Sequence, residues 1–171
     1  MYFGEGKGKT TAAVGLAARA LGRGWGVVFL QFLKSRPAGE VSSLEKLGAT
    51  VLRGKSGSHF SWDMTDDEKR MTLALSDGNL RSALAACEAC GSPVMLVLDE
   101  ICAAWQHCLV DRPLVETLVR EVKAGTRPLE LVLTGRNPPQ LFLSLSDYVT
   151  EFRKIRHPFD SGRTARQGVE F

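Results

Sequence analysis

No apolar run in this 171-residue chain approaches the roughly 20 residues needed to cross a bilayer, which excludes a helical membrane protein. The chain opens directly on Gly-rich sequence with no signal-peptide pattern, so the expectation is a cytoplasmic protein. Strong net charge is also missing. A formal +3 gives no argument for nucleic acid as a partner. There is no internal repeat, linker or low-complexity tract, and 44% hydrophobic with 24% charged residues is the balance of an ordinary globule, which excludes disordered and fibrous classes. Cysteine is scarce and poorly spaced for metal. Cys87 and Cys90 form a C-x-x-C pair at the end of an expected helix, but Cys102 and Cys108 supply no second pair, so all four are read as small buried residues.

What is present begins at once. Gly4-Glu5-Gly6-Lys7-Gly8-Lys9-Thr10-Thr11 has the composition of a P-loop, in which glycines let backbone N–H groups turn onto phosphate oxygens. Lys9 adds a positive charge, and the Thr10 hydroxyl suits Mg²⁺. The Ala- and Leu-rich stretch that follows predicts a helix whose N-terminus lies under the anion. The spacing is a variant: aligned on Gly8-Lys9-Thr10, the usual pattern asks for glycine where this chain has Phe3.

Further along, apolar runs alternate with helical patterns. Strands are predicted at 27–33, 49–52, 94–98, 129–133 and 148–152. Helices are predicted at 40–47, from Thr65 toward Cys90, from Asp111 onward and from Asn137 through Leu145. Thr65-Asp66-Asp67-Glu68 is a capping box, and Asp77-Gly78-Asn79 marks a weak point in the long helix it starts. Leu114, Leu118 and Val122 are spaced to face a sheet. Val94 to Leu98 delivers Asp99-Glu100 at the end of an apolar strand, the Walker B pattern of a nucleotide site. Thr134-Gly135-Arg136 ends the next strand.

Alternation of this kind predicts an α/β fold, a single P-loop NTPase-like (RecA-like) domain over residues 1–171 with a mostly parallel sheet and helices on both faces. Its ligands belong at the C-terminal ends of the strands, where the Gly-rich loop, Asp99-Glu100 and Thr134-Gly135-Arg136 all fall. Most of the parts for Mg-ATP are there, with Arg136 as a further phosphate clamp. These parts serve a phosphotransferase, another use of ATP, or a nucleotide-dependent binding module equally well. The last 20 residues carry five Arg or Lys against two acids, either a solvated tail or a segment folded back over an anion.

Taken in order, Gly4 to Ala13, Gln31-Phe32-Leu33-Lys34, Phe60-Ser61-Trp62, Leu98-Asp99-Glu100, Thr134-Gly135-Arg136 and His157-Pro158-Phe159-Asp160-Ser161-Gly162 through Phe171 resemble the P-loop type of ATP:corrinoid adenosyltransferase. That resemblance implies transfer of the 5′-deoxyadenosyl group of ATP to cobalt(I) of cob(I)alamin or an earlier corrinoid, with triphosphate leaving whole. It implies Lys9 and Arg136 on the triphosphate, and Mg²⁺ (or Mn²⁺) on Thr10 and Glu100 with Asp99 in support. Gly4, Glu5, Gly6, Lys7, Gly8, Thr11 and His157 fall at nucleotide-contacting positions, and Phe60 and Trp62 on the lower corrinoid face. Lys34 falls where the loop after the second strand approaches the site, and segment 153–171 where the family's tail lies near the nucleotide. The resemblance further implies a homodimer and a flavoprotein reductase as electron source. The chain differs from typical members at Glu5, in the segment Ser35 to Glu40, and in having only three residues before Gly4, which predicts a short first strand and an N-terminal lid that is missing or was removed.

Overall fold

The computed structural model describes residues 1–54, 57 and 63–169; Phe60 and Trp62 lie outside this range. The strands are β1 (Tyr2–Phe3), β2 (Gly26–Phe32), β3 (Thr50–Gly54), β4 (Val94–Asp99), β5 (Glu130–Gly135) and β6 (Thr150–Glu151). They form one six-stranded sheet in the order β3-β2-β4-β5-β1-β6, and every pairing is parallel. Helices α1 (Lys9–Leu21), α2 (Gly39–Lys46), α3 (Asp66–Cys90), α4 (Ile101–Gln106), α5 (Arg112–Ala124) and α6 (Gln140–Leu145) connect them. This is a P-loop NTPase-like α/β fold in which β5 separates the strand before the Gly-rich loop from the strand carrying Asp99.

The period-2 alternation of a strand sorts the core into two faces. Val28, Leu30, Phe32, Leu96, Leu98 and Leu133 pack with residues of α3, α4, α5 and α6. Their neighbours Val27, Phe29, Met95, Val97 and Val132 pack on the other side against Ala13, Ala17 and Ala20 of α1 and Leu44 of α2. Because β2 and β4 are central and covered on both faces, both read as nearly continuous apolar runs. The small residues of α1 let that helix lie close to the sheet and bring its N-terminus to the strand ends.

Several sequence expectations need correction. The long helix runs without a break through Asp77-Gly78-Asn79, because Leu80 is buried beside it and the Asp77 carboxylate accepts the Asp111 backbone N–H at 2.6 Å. Helix α5 does turn Leu114, Leu118 and Val122 toward the core as expected, Leu118 fully buried and the other two partly, and it buries Val115 and Val119 as well. The last strand is confined to Thr150–Glu151, and Tyr148 stands 81% exposed. Cys87 and Cys102 are buried as expected, but Cys90 and Cys108 are exposed. Helix α4 is an addition. It packs so closely under β5 that a Cβ on Gly135 would fall 2.5 Å from Cys102 Cβ, and Gly135 itself sits at φ +149°.

Candidate functional site

β1 ends at Phe3, and the loop that follows uses its glycines in two ways. Gly4 and Gly8 take positive φ (+109° and +115°), turning the chain out of the strand and into α1. Gly6, without a positive φ, is needed for closeness alone: a Cβ there would meet the carbonyl carbons of Phe152 and Arg153 at 2.8 Å, just as one on Gly4 would meet Phe152 O at 2.6 Å. Its N–H donates to Phe152 O at 2.6 Å, and Phe152 N–H donates back to Phe3 O at 2.7 Å. The Phe152 ring meets Tyr2 edge-on at 5.9 Å and lies 3.1 Å from where a Gly8 Cβ would be. The unusual glycine spacing therefore follows from the chain leaving β6, which lies directly on the loop. Phe3 occupies the usual glycine position because it is still strand, paired with Gly135 and Glu151.

Lys9 Nζ donates to the loop's own carbonyls, Gly4 O at 2.6 Å and Gly6 O at 2.8 Å. Burial, and next the charge of Arg136, hold its ammonium below the usual lysine range. Arg136 Nη1 sits 3.2 Å from Glu5 Oε2, and with side chains 60% and 57% exposed this pair contributes little to stability. Lys7 and Thr11 are exposed at the loop and the first turn of α1.

Asp99 is the hub. It is fully buried, with four side chains donating to it. Thr10 Oγ1 (2.9 Å) and Thr134 Oγ1 (2.7 Å) reach Oδ1, while Lys34 Nζ (2.7 Å) and Gln31 Nε2 (3.3 Å) reach Oδ2. Lys34 Nζ also donates to Thr10 Oγ1 at 3.2 Å. Gln31 Nε2 donates as well to Glu40 Oε1 at 3.1 Å, which ties α2 to the site, and the buried Gln31 Oε1 has no partner. Glu100 adopts a left-handed conformation (φ +63°) and donates its N–H to Thr134 Oγ1 at 2.9 Å. Burial, followed by the negative charge of Asp99, raises the Glu100 carboxyl above the ordinary glutamate range.

Lys9, Thr10, Asp99, Glu100 and Arg136 are thus assembled at the C-terminal rim of the sheet, where open α/β sheets bind ligands. His157 is not drawn in by its hydrogen bond. Its Nδ1 accepts Phe159 N–H at 3.2 Å and caps the short 3₁₀ turn Pro158–Ser161, within the tail itself. Of the tail, Phe152 and Arg153 touch the loop. Gln31 and Glu40 were absent from the sequence-based site. The signal for Gln31 was available, a lone amide inside an apolar strand run; Glu40 carried none.

The side-chain ligand atoms that Thr10, Asp99 and Glu100 themselves offer are all oxygens, which suit a hard cation such as Mg²⁺. A cation, the Lys34 ammonium, already bridges Thr10 Oγ1 and Asp99 Oδ2, so the pocket accepts positive charge. Among the described residues no three His, Cys, Asp or Glu side chains are grouped as a metal cage.

The family model described as ATP:corrinoid adenosyltransferase BtuR/CobO/CobP matches residues 1–171. The corrinoid adenosyltransferase of Sinorhizobium sp is 34% identical over 170 residues, covering 98% of this chain and 77% of the relative. Corrinoid adenosyltransferase CobA of Salmonella typhimurium is 32% identical over 174 residues, covering 100% and 84%. The corrinoid adenosyltransferase of Pseudomonas aeruginosa is 30% identical over 172 residues, covering 100% and 82%. With a nucleotide-type rim built from Lys9, Thr10, Asp99, Glu100 and Arg136 and a match from end to end, the chain belongs to the ATP:corrinoid adenosyltransferase family BtuR/CobO/CobP.

Proposed function

We propose that this chain transfers the 5′-deoxyadenosyl group of ATP to cobalt(I) of a corrinoid, a complete cobalamin or an earlier intermediate. The observation that carries this reading is the assembled rim in a chain matched by the family over its whole length. In the reaction the cobalt(I) electron pair attacks C5′ and the C5′–O5′ bond breaks. Triphosphate leaves with that bond's electrons, and cobalt is formally oxidised to cobalt(III). No protein nucleophile is required, so the residues work by holding two substrates in line and by receiving the charge that develops on the leaving oxygen.

Within this reading the Gly-rich segment is a P-loop in a single nucleotide-binding domain spanning residues 1–171, with the tail from 153 closing near the nucleotide. Lys9 exchanges the carbonyls of Gly4 and Gly6 for phosphate oxygens, a transfer helped by its partial burial. Arg136 leaves the exposed pair with Glu5 to join it. Backbone N–H groups of the loop provide further donors, except that of Gly6, which is engaged by Phe152. Thr10 and Glu100 hold Mg²⁺ (or Mn²⁺), and Asp99 orients Thr10 through its hydrogen bond. When bound, the metal neutralises charge on the triphosphate. Phe60 and Trp62, which lie outside the described residues, are assigned to the lower corrinoid face, and His157 to the nucleotide. The protein works in the cytoplasm as a homodimer, and a flavoprotein reductase supplies electrons.

The test is incubation with Mg-ATP and chemically reduced cobalamin, followed in the visible spectrum and by analysis of phosphate products. Light-sensitive adenosylcobalamin with triphosphate is the expected result. ADP with unchanged corrinoid would mark a phosphotransferase, and binding of both substrates without a cobalt–carbon bond would mark a binding module. Trp62→Ala is expected to slow the reaction from cobalt(II) more than from pre-reduced cobalt(I); equal losses would leave Trp62 a packing residue.

A further inference from the structure

The side chain that completes the Asp99 hub does not come from the Gly-rich loop or from the Asp99-Glu100 strand. It comes from Lys34, two residues beyond β2. Leu33 stands between them with φ +58°, a conformation a leucine seldom adopts, and this bend accompanies the return of the chain over the strand ends. The Lys34 ammonium then lies 2.7 Å from Asp99 Oδ2 and 3.2 Å from Thr10 Oγ1. Asp99 is 0% exposed, so its charge needs a countercharge, and Lys34 Nζ is the cation in ion-pair contact with it. At 31% exposure, the Lys34 side chain keeps a route to solvent.

We propose that Lys34 is a resident cation that fills the divalent-metal position in the nucleotide-free protein and yields it only when nucleotide arrives. This rests on the reading above that Thr10 and Glu100 hold Mg²⁺ with Asp99 in support. An ammonium and a divalent ion cannot both sit on Thr10 Oγ1 beside the Asp99 carboxylate, because the two cations would lie at contact distance with like charges adjacent. Lys34 is tethered, so it competes at high effective concentration, and metal alone meets a closed site. Metal with triphosphate is different: the phosphates bring extra oxygen ligands for the metal and give the released ammonium new anionic partners. Lys34 is thus a positioning residue that couples metal binding to nucleotide binding. It prevents a bare divalent ion from occupying Thr10 before ATP is in place.

The probe is Mn²⁺, measured by the electron paramagnetic resonance of the free ion in nucleotide-free full-length protein. Removing the competitor raises the open fraction of the site toward one. If Lys34 occupies the site nine-tenths of the time or more, Lys34→Met binds Mn²⁺ at least about tenfold more tightly than wild type. Its thermal midpoint, lowered without metal, rises on adding Mn²⁺ while that of wild type stays put. Lys34→Gln, which keeps a donor to Thr10 and Asp99 but removes the charge, serves if Lys34→Met does not fold. Adding Thr10→Ala to either variant should abolish the gained affinity. Equal Mn²⁺ affinities of variant and wild type, with wild type still binding Mn²⁺ in a ternary complex with ATP, would overturn the resident-cation role and leave the metal reading standing. Failure of both proteins to bind Mn²⁺ even with ATP would overturn both.

Discussion

Gly6→Ala tests the closeness on which the Gly-rich loop is built. The added methyl would lie 2.8 Å from the carbonyl carbon and oxygen of Arg153 and from the carbonyl carbon of Phe152, where ordinary contact starts near 3.4 Å. About 0.6 Å must be found, and the obstructing atoms are backbone, so no side-chain rotation relieves the clash. Either the loop or the segment after β6 moves, and the 2.6 Å bond from Gly6 N–H to Phe152 O stretches or breaks. Overpacking of this kind costs about 1–3 kcal/mol, and a weakened hydrogen bond about 1 more. The expected loss is therefore about 2–4 kcal/mol, or roughly 5–12 °C in thermal midpoint for a chain of this size. Gly15→Ala is the control: it lies inside α1 with nothing within 4 Å of its added Cβ, and should stabilise by about 0.5–1 kcal/mol. Urea unfolding followed by circular dichroism measures both variants, and ATP titration shows whether the displaced loop also binds nucleotide more weakly. Gly6→Ala within about 0.5 kcal/mol of wild type, with unchanged ATP affinity, would refute the account of the loop's spacing.

Three further outcomes follow from the same geometry. Asp99→Asn leaves an amide facing the Lys34 ammonium and the Gln31 amide; discounted for the partial exposure of Lys34, the cost is about 1–3 kcal/mol, read from urea unfolding in metal-free buffer. Glu100 binds its proton more tightly folded than unfolded, so its contribution to stability is full below the ordinary glutamate range and is lost as pH rises through the raised folded value. Glu100→Gln removes that loss; with EDTA present it should be more stable than wild type at neutral pH, with the difference fading toward about pH 4. A difference that does not change with pH would contradict the burial argument. Burial holds the Cys87 thiol at about 11 and the Cys102 thiol at about 12, whereas Cys90 and Cys108 are exposed, so a thiol reagent at pH 8 should label two cysteines in the native protein and four after denaturation.

Local chemistry carried much of this structure. The capping box at Thr65 to Glu68 forms with both of its hydrogen bonds, and Asp111 caps α5 through Leu114 N–H, because a cap is satisfied within four residues of itself. Continuous apolar runs made β2 and β4 recognisable as central strands, and Asp99-Glu100 marked the polar end of the second. Helix α4 escaped notice. Its six residues are too short to show a helical period, and its burial depends on β5 lying above it.

Residue types and their order determined that this chain would build a parallel sheet with a phosphate-type loop, a carboxylate pair and a guanidinium at one rim, since each of those signals is contained in a short segment. Only the tertiary structure decided how those groups are partnered. The chain leaving β6 sets the loop's glycine spacing from nearly 150 residues away, and Lys34 meets Asp99 across 65 positions. Neither approach has a local pattern. Both exist because the sheet order puts β6 beside β1 and β2 beside β4, and burial then forces the Asp99 charge to find the nearest cation.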